Sequence, residues 1–403
     1  MADSHSVPDK SRRFTSSSLF AGAFDQFRHR PSSQIPFLDG LRTIAILLVI
    51  NGHFSTSFTS RYGENFYSRM SFVANGWIGV DLFFVLSGFF IGGQLWRELW
   101  KEGTISIRQF MLRRGLRIWP LYFFTFLCVL VFYWHNAAAK EYGWADLVFL
   151  ANYFNYGIVL GGWSLSTEEQ FYILTPLLLY LFARRRDPKT VRIWLWAILL
   201  FIPLMRAAIW IHHTGNFFTH DPALFATIYY KFHTHCDGLI MGLIISNLWV
   251  SRSTKVVNKF WRSSLLVLVG FILLLALRHI QHEVLNFTGL AFFFGSLVWF
   301  GLNSGTTLFR SRFFYWISRL SFGMYLNHPY LQGPVFHYVL PRLGFFPIAS
   351  VASQLLGMSI LVVLSAAVAF FTFCLVEHPF LNLRTRLLGF RPAKKTVEAP
   401  TLQ

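Results

Sequence analysis

Ten apolar runs, each near the length of a membrane crossing, follow one another between residues 37 and 376, with short basic segments between them. A helical crossing needs about 20 mostly apolar residues, because the backbone polar groups must be satisfied inside the segment. The runs lie at 37–58, 77–96, 118–135, 165–183, 193–211, 225–249, 263–279, 286–304, 314–336 and 348–376. The fourth opens on acids and the sixth holds Lys231 and Asp237, so these two are the weakest. The pattern predicts an all-α integral membrane protein with about ten transmembrane helices. Eight or twelve crossings remain open if one pair is re-entrant. Charged residues make up 13% of the chain, against about 25% in soluble domains.

The net charge of +18 raises nucleic acid as a partner, but the charges fall between apolar runs rather than along one face. Of the 36 Lys and Arg residues, 27 lie in the segments on one side of the ten runs, four on the other side and five within runs. By the positive-inside rule this places both termini in the cytoplasm of a multi-pass inner or plasma membrane protein and excludes a nucleic-acid partner. Residues 1–36 read as a polar, unstructured cytoplasmic tail. They are rich in Ser and Arg, without the apolar core of a signal peptide. Residues 37–384 read as one transmembrane domain and residues 385–403 as a second cytoplasmic tail. Cys128, Cys236 and Cys374 are scattered in apolar stretches, which suits neither disulfides nor a metal knuckle. The aromatic segment 136–163 is expected to cap the outer face.

The first run, "FLDGLRTIAILLVINGHFS", carries Arg42 and His53. Ionisable groups inside a bilayer cost several kcal/mol on scales that disagree widely, and they mark functional sites. The two residues stand close to three helical turns apart, about 16 Å of rise, and share a face at different depths. Asp39 lies one turn before Arg42 and is expected to pair with it. Taken alone, Arg42 also suits snorkelling to the headgroups and His53 an interhelical hydrogen bond. "GWIGVDLFFVLSGFFIGG" follows, with Gly79, Gly88, Gly92 and Gly93 permitting close helix contact and Asp81 as a buried acid. In "RQFMLRRGLRIWPLYFF", Arg114 and Arg117 share a helix face and suit phosphate binding or anchoring to anionic lipid. "GGWSLSTEEQFYILTP" brings Glu168 and Glu169 to the outer start of a run.

These pieces, with "HTHCDGLIMG", "SRLSFGMYLNHPYL" and "VEHPFLNLR", resemble in order the motifs of the acyltransferase-3 family of integral-membrane O-acyltransferases. The resemblance covers residues 37 to about 384. It implies transfer of an acyl group, acetyl first among them, from cytoplasmic acyl-CoA as co-substrate to a hydroxyl of a cell-envelope glycan, lipid-linked sugar or other small acceptor. The family's motif histidine maps to His53, its arginine to Arg42, its donor-binding arginines to Arg114 and Arg117, and its WSL-motif glutamate to Glu168.

Ester formation needs an activated hydroxyl and a stabilised oxyanion. Histidine is the natural proton acceptor near neutral pH, so His53 is the expected general base or a transient acyl carrier. Asp81 and Glu168 are the carboxylates available to orient its ring. Arg42 suits donor phosphate or the thioester oxyanion. The spacing of His233, His235, Cys236 and Asp237 fits no metal pattern, and no metal is expected. Asp237 and Lys231 read as polar contacts within the bundle, and Tyr325 and His328 as a helix-packing pair or part of an acceptor pocket. Glu377 reads as a partner of a nearby arginine. The competing function is a proton-coupled transporter or flippase in which His53, Asp81 and Glu168 relay protons.

Overall fold

The computed structural model describes residues 16–28, 30–31, 34–70, 75–133, 137–154, 157–184, 186–251, 260–304, 306–343 and 350–388. The ends of both expected tails, residues 1–15 and 389–403, lie outside these. The described residues are helical with turns between them, and none is in a strand.

The helices are α1 (Ser16–Arg28), α2 (Pro36–Tyr62), α3 (Ile78–Glu102), α4 (Ile107–Tyr133), α5 (Ala137–Leu147), α6 (Ala151–Phe154), α7 (Gly162–Leu178), α8 (Pro188–Thr214), α9 (Pro222–Tyr230), α10 (Asp237–Val250), α11 (Phe260–Ile280), α12 (His282–Asn303), α13 (Arg312–Pro334), α14 (Val351–Thr372) and α15 (His378–Leu387). Among the described residues, seven are long and apolar enough to cross a membrane: α2, α3, α4, α8, α11, α12 and the rod made by α14 and α15. The three other expected spans fall on different elements. Run 165–183 is α7 prolonged by a π-helical turn at Leu179–Ala183. Run 314–336 is α13, whose own π turn follows at Val335–Val339. Run 225–249 is broken: α9 ends at Tyr230, a 3₁₀ turn takes Phe232–Thr234, and α10 begins at Asp237. Lys231, His233, His235 and Asp237 cluster at that break, where the backbone leaves the helix, and the last three side chains find partners on other elements.

Glycine sets the closest helix contacts. A Cβ on Gly88 of α3 would stand 2.1 Å from the carbonyl oxygen of Leu239 in α10, and one on Gly242 would stand 2.2 Å from that of Val85. Only hydrogen at these positions lets the two backbones meet. Gly79 and Gly92 make close contacts too, whereas Gly93 meets only the far end of Arg97 at 3.5 Å. Helix α2 packs between α3 and α13, and α13 packs on α14.

The N-terminal tail departs from expectation. Ser16–Arg28 is helical rather than unstructured, because Ala23 and Phe27 are buried. The Phe27 ring lies edge-on to Trp316 at 6.0 Å and to Phe373 at 5.0 Å, and Trp316 donates to its carbonyl at 2.9 Å. The segment expected to cap the outer face forms α5 and α6. Asp146 ties it down, accepting from Tyr122 at 2.8 Å, from Val159 N–H at 3.3 Å and from Ile158 N–H.

Candidate active site

Helix α2 carries Arg42 near its first turns and His53 two-thirds of the way along. Gly52 beside His53 packs backbone to backbone against Gly76, which brings the start of α3 close. His53 is solvent-accessible. Its Nδ1 lies 2.8 Å from Nε2 of His328 on α13, and the rings stack with centroids 5.1 Å apart. His328 is buried, and its Nδ1 lies 3.0 Å from the carbonyl oxygen of Met324. Tyr325 is one turn back on the same helix. Its hydroxyl lies 2.6 Å from Ser164 Oγ and 3.1 Å from the carbonyl of Gly161, where Gly161 at φ 80° turns the chain into α7.

Neither candidate carboxylate bonds to His53. Asp81 is committed to His235, with Oδ1 2.8 Å from its Nε2, while the other imidazole nitrogen lies 2.7 Å from the carbonyl of Tyr229. Glu168 accepts from Tyr172 at 2.6 Å, one helical turn on along α7. Tyr172 spends its proton there, so Ser87 donates to the Tyr172 oxygen at 2.7 Å. Glu169, beside it, accepts from Trp119 at 3.1 Å and has its second oxygen buried without a partner. The residue that meets His53 is another histidine, 275 positions away. The sequence offered a signal for it in "MYLNHPYL" but nothing that linked it to α2.

Arg42 does not pair with Asp39 as expected. Arg30 reaches that carboxylate first, at 3.1 Å, and Ser318 donates to it at 3.2 Å. The Arg42 guanidinium lies 5.6 Å from the Phe90 ring centroid, and its Nε is buried with no partner. It is in electrostatic contact with Arg117, Asp39 and Glu168. Arg114 lies over Tyr172 at 5.9 Å and Phe110 at 5.8 Å and donates to Gln94 at 3.1 Å. Arg117 is exposed and, among the described residues, makes no hydrogen bond or ion pair. Its charge acts on Arg42, Arg319, Arg384 and Glu377, residues drawn from four helical elements. The site therefore has two ends along α2: a histidine pair, and a cluster of arginines that outnumber the carboxylates Glu168 and Glu377 among them.

The two histidines of "HTHCDG" diverge. His233 meets the Tyr153 hydroxyl at 3.1 Å and His235 meets Asp81. Among the described residues no three His, Cys, Asp or Glu side chains gather as metal ligands.

The peptidoglycan O-acetyltransferase OatA of Listeria monocytogenes is 26% identical over 330 residues, covering 73% of this chain and 49% of that protein. The O-acetyltransferase OatA of Staphylococcus aureus is 28% identical over 239 residues, covering 55% of this chain and 36% of that protein. The chain thus spans half or less of the length of these curated relatives. No solved structure matches it. A family model described as an acyltransferase domain matches residues 35–376, which takes in α2 through α14 and every residue of the two-ended site except Arg384 and Glu377. The chain belongs to the acyltransferase-3 family.

Proposed function

We propose that the protein is a membrane O-acyltransferase that moves an acyl group, acetyl first among them, from acyl-CoA to a hydroxyl of a cell-wall glycan or a related sugar acceptor. The observation that carries this is the two-ended site on α2. At one end stands an accessible imidazole held by a second imidazole, and at the other stand arginines with unspent donors. The relatives' names supply the acceptor class: one acts on peptidoglycan, and both are O-acetyltransferases.

In this reading Arg114 and Arg117 hold the donor's phosphates, the forked guanidinium suiting phosphate oxygens. The donor's arm runs along α2 towards His53. His53 takes the proton of the acceptor hydroxyl as its oxygen attacks the acyl carbon. Arg42 and Glu168 stand at the arginine end too, Arg42 as the cation for donor phosphate or developing oxyanion, Glu168 as its counter-charge with Tyr172. Asp81 supports the bundle through His235. A proton-coupled carrier fits less well. His53, Asp81 and Glu168 each bond to a different partner, so among the described residues they form no continuous relay.

The reading includes ten crossings of a plasma or inner membrane: the seven long helices plus α7, α10 and α13, with both termini cytoplasmic. A reporter fused at Gln403 that is active only outside the cell tests the topology; activity there would overturn it. The chemistry is tested with purified protein. His53→Ala should lower acetyl-CoA turnover by about 10²–10⁴-fold while the protein still inserts and purifies as folded. Near-normal turnover would leave His53 as a helix-packing residue and remove the proposal's centre.

A further inference from the structure

We infer that His328 is a positioning residue which fixes the tautomer of His53 and leaves the Nε2 lone pair of His53 as the reactive one. The inference rests on the acyl-transfer reading above and goes a step beyond it. It follows from donor and acceptor bookkeeping. A backbone carbonyl only accepts, so the nitrogen of His328 that faces the Met324 oxygen at 3.0 Å carries hydrogen. That is Nδ1. A neutral His328 then presents a bare lone pair at Nε2. The atom facing it at 2.8 Å is Nδ1 of His53, which must therefore carry hydrogen in turn. A neutral His53 is left with its lone pair on Nε2. No described residue bonds that atom, and the side chain is solvent-accessible.

The opposite polarity requires a charged His328. That residue is 1% exposed, and among the described residues no carboxylate touches it. An uncompensated imidazolium there is costly. The local helix also suits a fixed ring. Pro329 follows directly and lacks the N–H that would bond the Tyr325 carbonyl, and the imidazole of His328 lies against the Met324 carbonyl one turn back. The carboxylate that often orients a catalytic histidine is absent from this pair. Here a second imidazole accepts from His53 at Nε2 and donates from Nδ1 to the Met324 carbonyl, which anchors it from behind.

The proton path is then defined at both ends. As the acceptor oxygen bonds to the acyl carbon, its proton passes to Nε2 of His53. As the carbon–sulfur bond breaks, the departing thiolate takes that proton back from Nε2. The products are an ester and a free thiol, and both histidines return to their starting tautomers. Throughout, Nδ1–H of His53 stays on His328. An acyl group carried transiently on His53 would use the same Nε2.

Acetyl-CoA hydrolysis by the purified full chain, read as thiol release, gives the test, with water as the acceptor. His328→Met keeps side-chain bulk and removes the acceptor. His328→Gln places a carbonyl oxygen where Nε2 stood. The expected result is that His328→Met loses about 10²-fold in kcat with donor KM little changed, and that His328→Gln recovers about tenfold of it. A folded His328→Met with normal kcat, or a folded His328→Gln no better than His328→Met, overturns the inference. His53→Ala run alongside separates the two failures: if it stays active, the acyl-transfer reading itself falls. Nitrogen-15 spectra of the unmutated chain in bilayers keep the inference testable even where the variants misfold. With the His53 signals identified by their loss in His53→Ala, hydrogen on Nδ1 supports it and hydrogen on Nε2 overturns it.

Discussion

Two arginines, Arg206 on α8 and Arg42 on α2, sit within the helical bundle and are treated in opposite ways. Arg206 spends all five of its N–H donors. They go to the carbonyls of Val284 and Thr234, to both oxygens of Asp237 and to the Thr288 hydroxyl, at 2.6 to 3.0 Å. Its charge is cancelled by Asp237 at 2.6 Å, and the Phe287 ring covers it at 5.3 Å. Arg42 has no hydrogen bond or ion pair among the described residues and one buried nitrogen without a partner. Holding an unpaired cation inside a membrane protein is costly, and a site that persists in that state is poised for an anion from outside the chain. The first arginine clamps α8, α10 and α12 together. The second, in the proposed function, is a receptor.

The largest expected effect tests the clamp. Among the described residues, Arg206→Met leaves Asp237 charged and buried with only the Thr288 hydroxyl donating to it, at 2.6 Å, and a buried carboxylate stripped of its cation typically costs about 3–5 kcal/mol. Thermal unfolding of the purified protein should show that loss. Arg206→Met combined with Asp237→Leu should regain much of it, because replacing a buried pair by apolar groups removes the stranded charge. A single variant as stable as the parent would erase the distinction between the two arginines.

Arg42→Met should show the reverse profile. No hydrogen bond or ion pair of Arg42 is broken, Glu168 keeps its bond from Tyr172 and Asp39 its pair with Arg30, so stability should hold within about 1 kcal/mol. Turnover of acetyl-CoA should fall by about 10²–10³-fold, the usual loss when a donor to developing negative charge is removed. A stability loss matching that of the Arg206 variant would show that Arg42 is also structural.

The sequence made some of this contrast legible and hid the rest. Arg42 and His53 lie on one helix, and helical periodicity alone places them on one face. Arg114 and Arg117 follow from the same local rule. Contacts between helices obey no such rule. Asp81 finds His235 across 154 positions, and His53 finds His328 across 275. Asp237 could be read as a polar contact inside the bundle, yet its partner 31 positions earlier could not. Which faces meet is set by packing, as where Gly88 and Gly242 admit each other's helix, and spacing along one helix does not specify it. Arg30 taking Asp39 from Arg42 is a case of the same kind. The α1 helix was more accessible than the tail reading allowed: Phe20, Phe24 and Phe27 recur at helical spacing within an otherwise polar stretch.

The smallest expected effect separates binding from chemistry within the receptor end itself. Arg117 is exposed and its charge reaches Arg42, yet it stands on α4, away from His53 on the far half of α2. A contact that serves ground and transition states equally changes KM more than kcat. Arg117→Ala should therefore raise the KM for acetyl-CoA with little change at saturating donor. Arg114→Ala/Arg117→Ala should be worse than either single change, because each arginine removes part of one phosphate-binding field. Arg117→Lys should restore only part of the affinity, since an ammonium keeps the charge but not the planar fork. Donor titrations decide the matter. Full rescue by lysine together with unchanged affinity in Arg117→Ala would assign this arginine to the lipid headgroups. The receptor end would then shrink to Arg42 and Arg114.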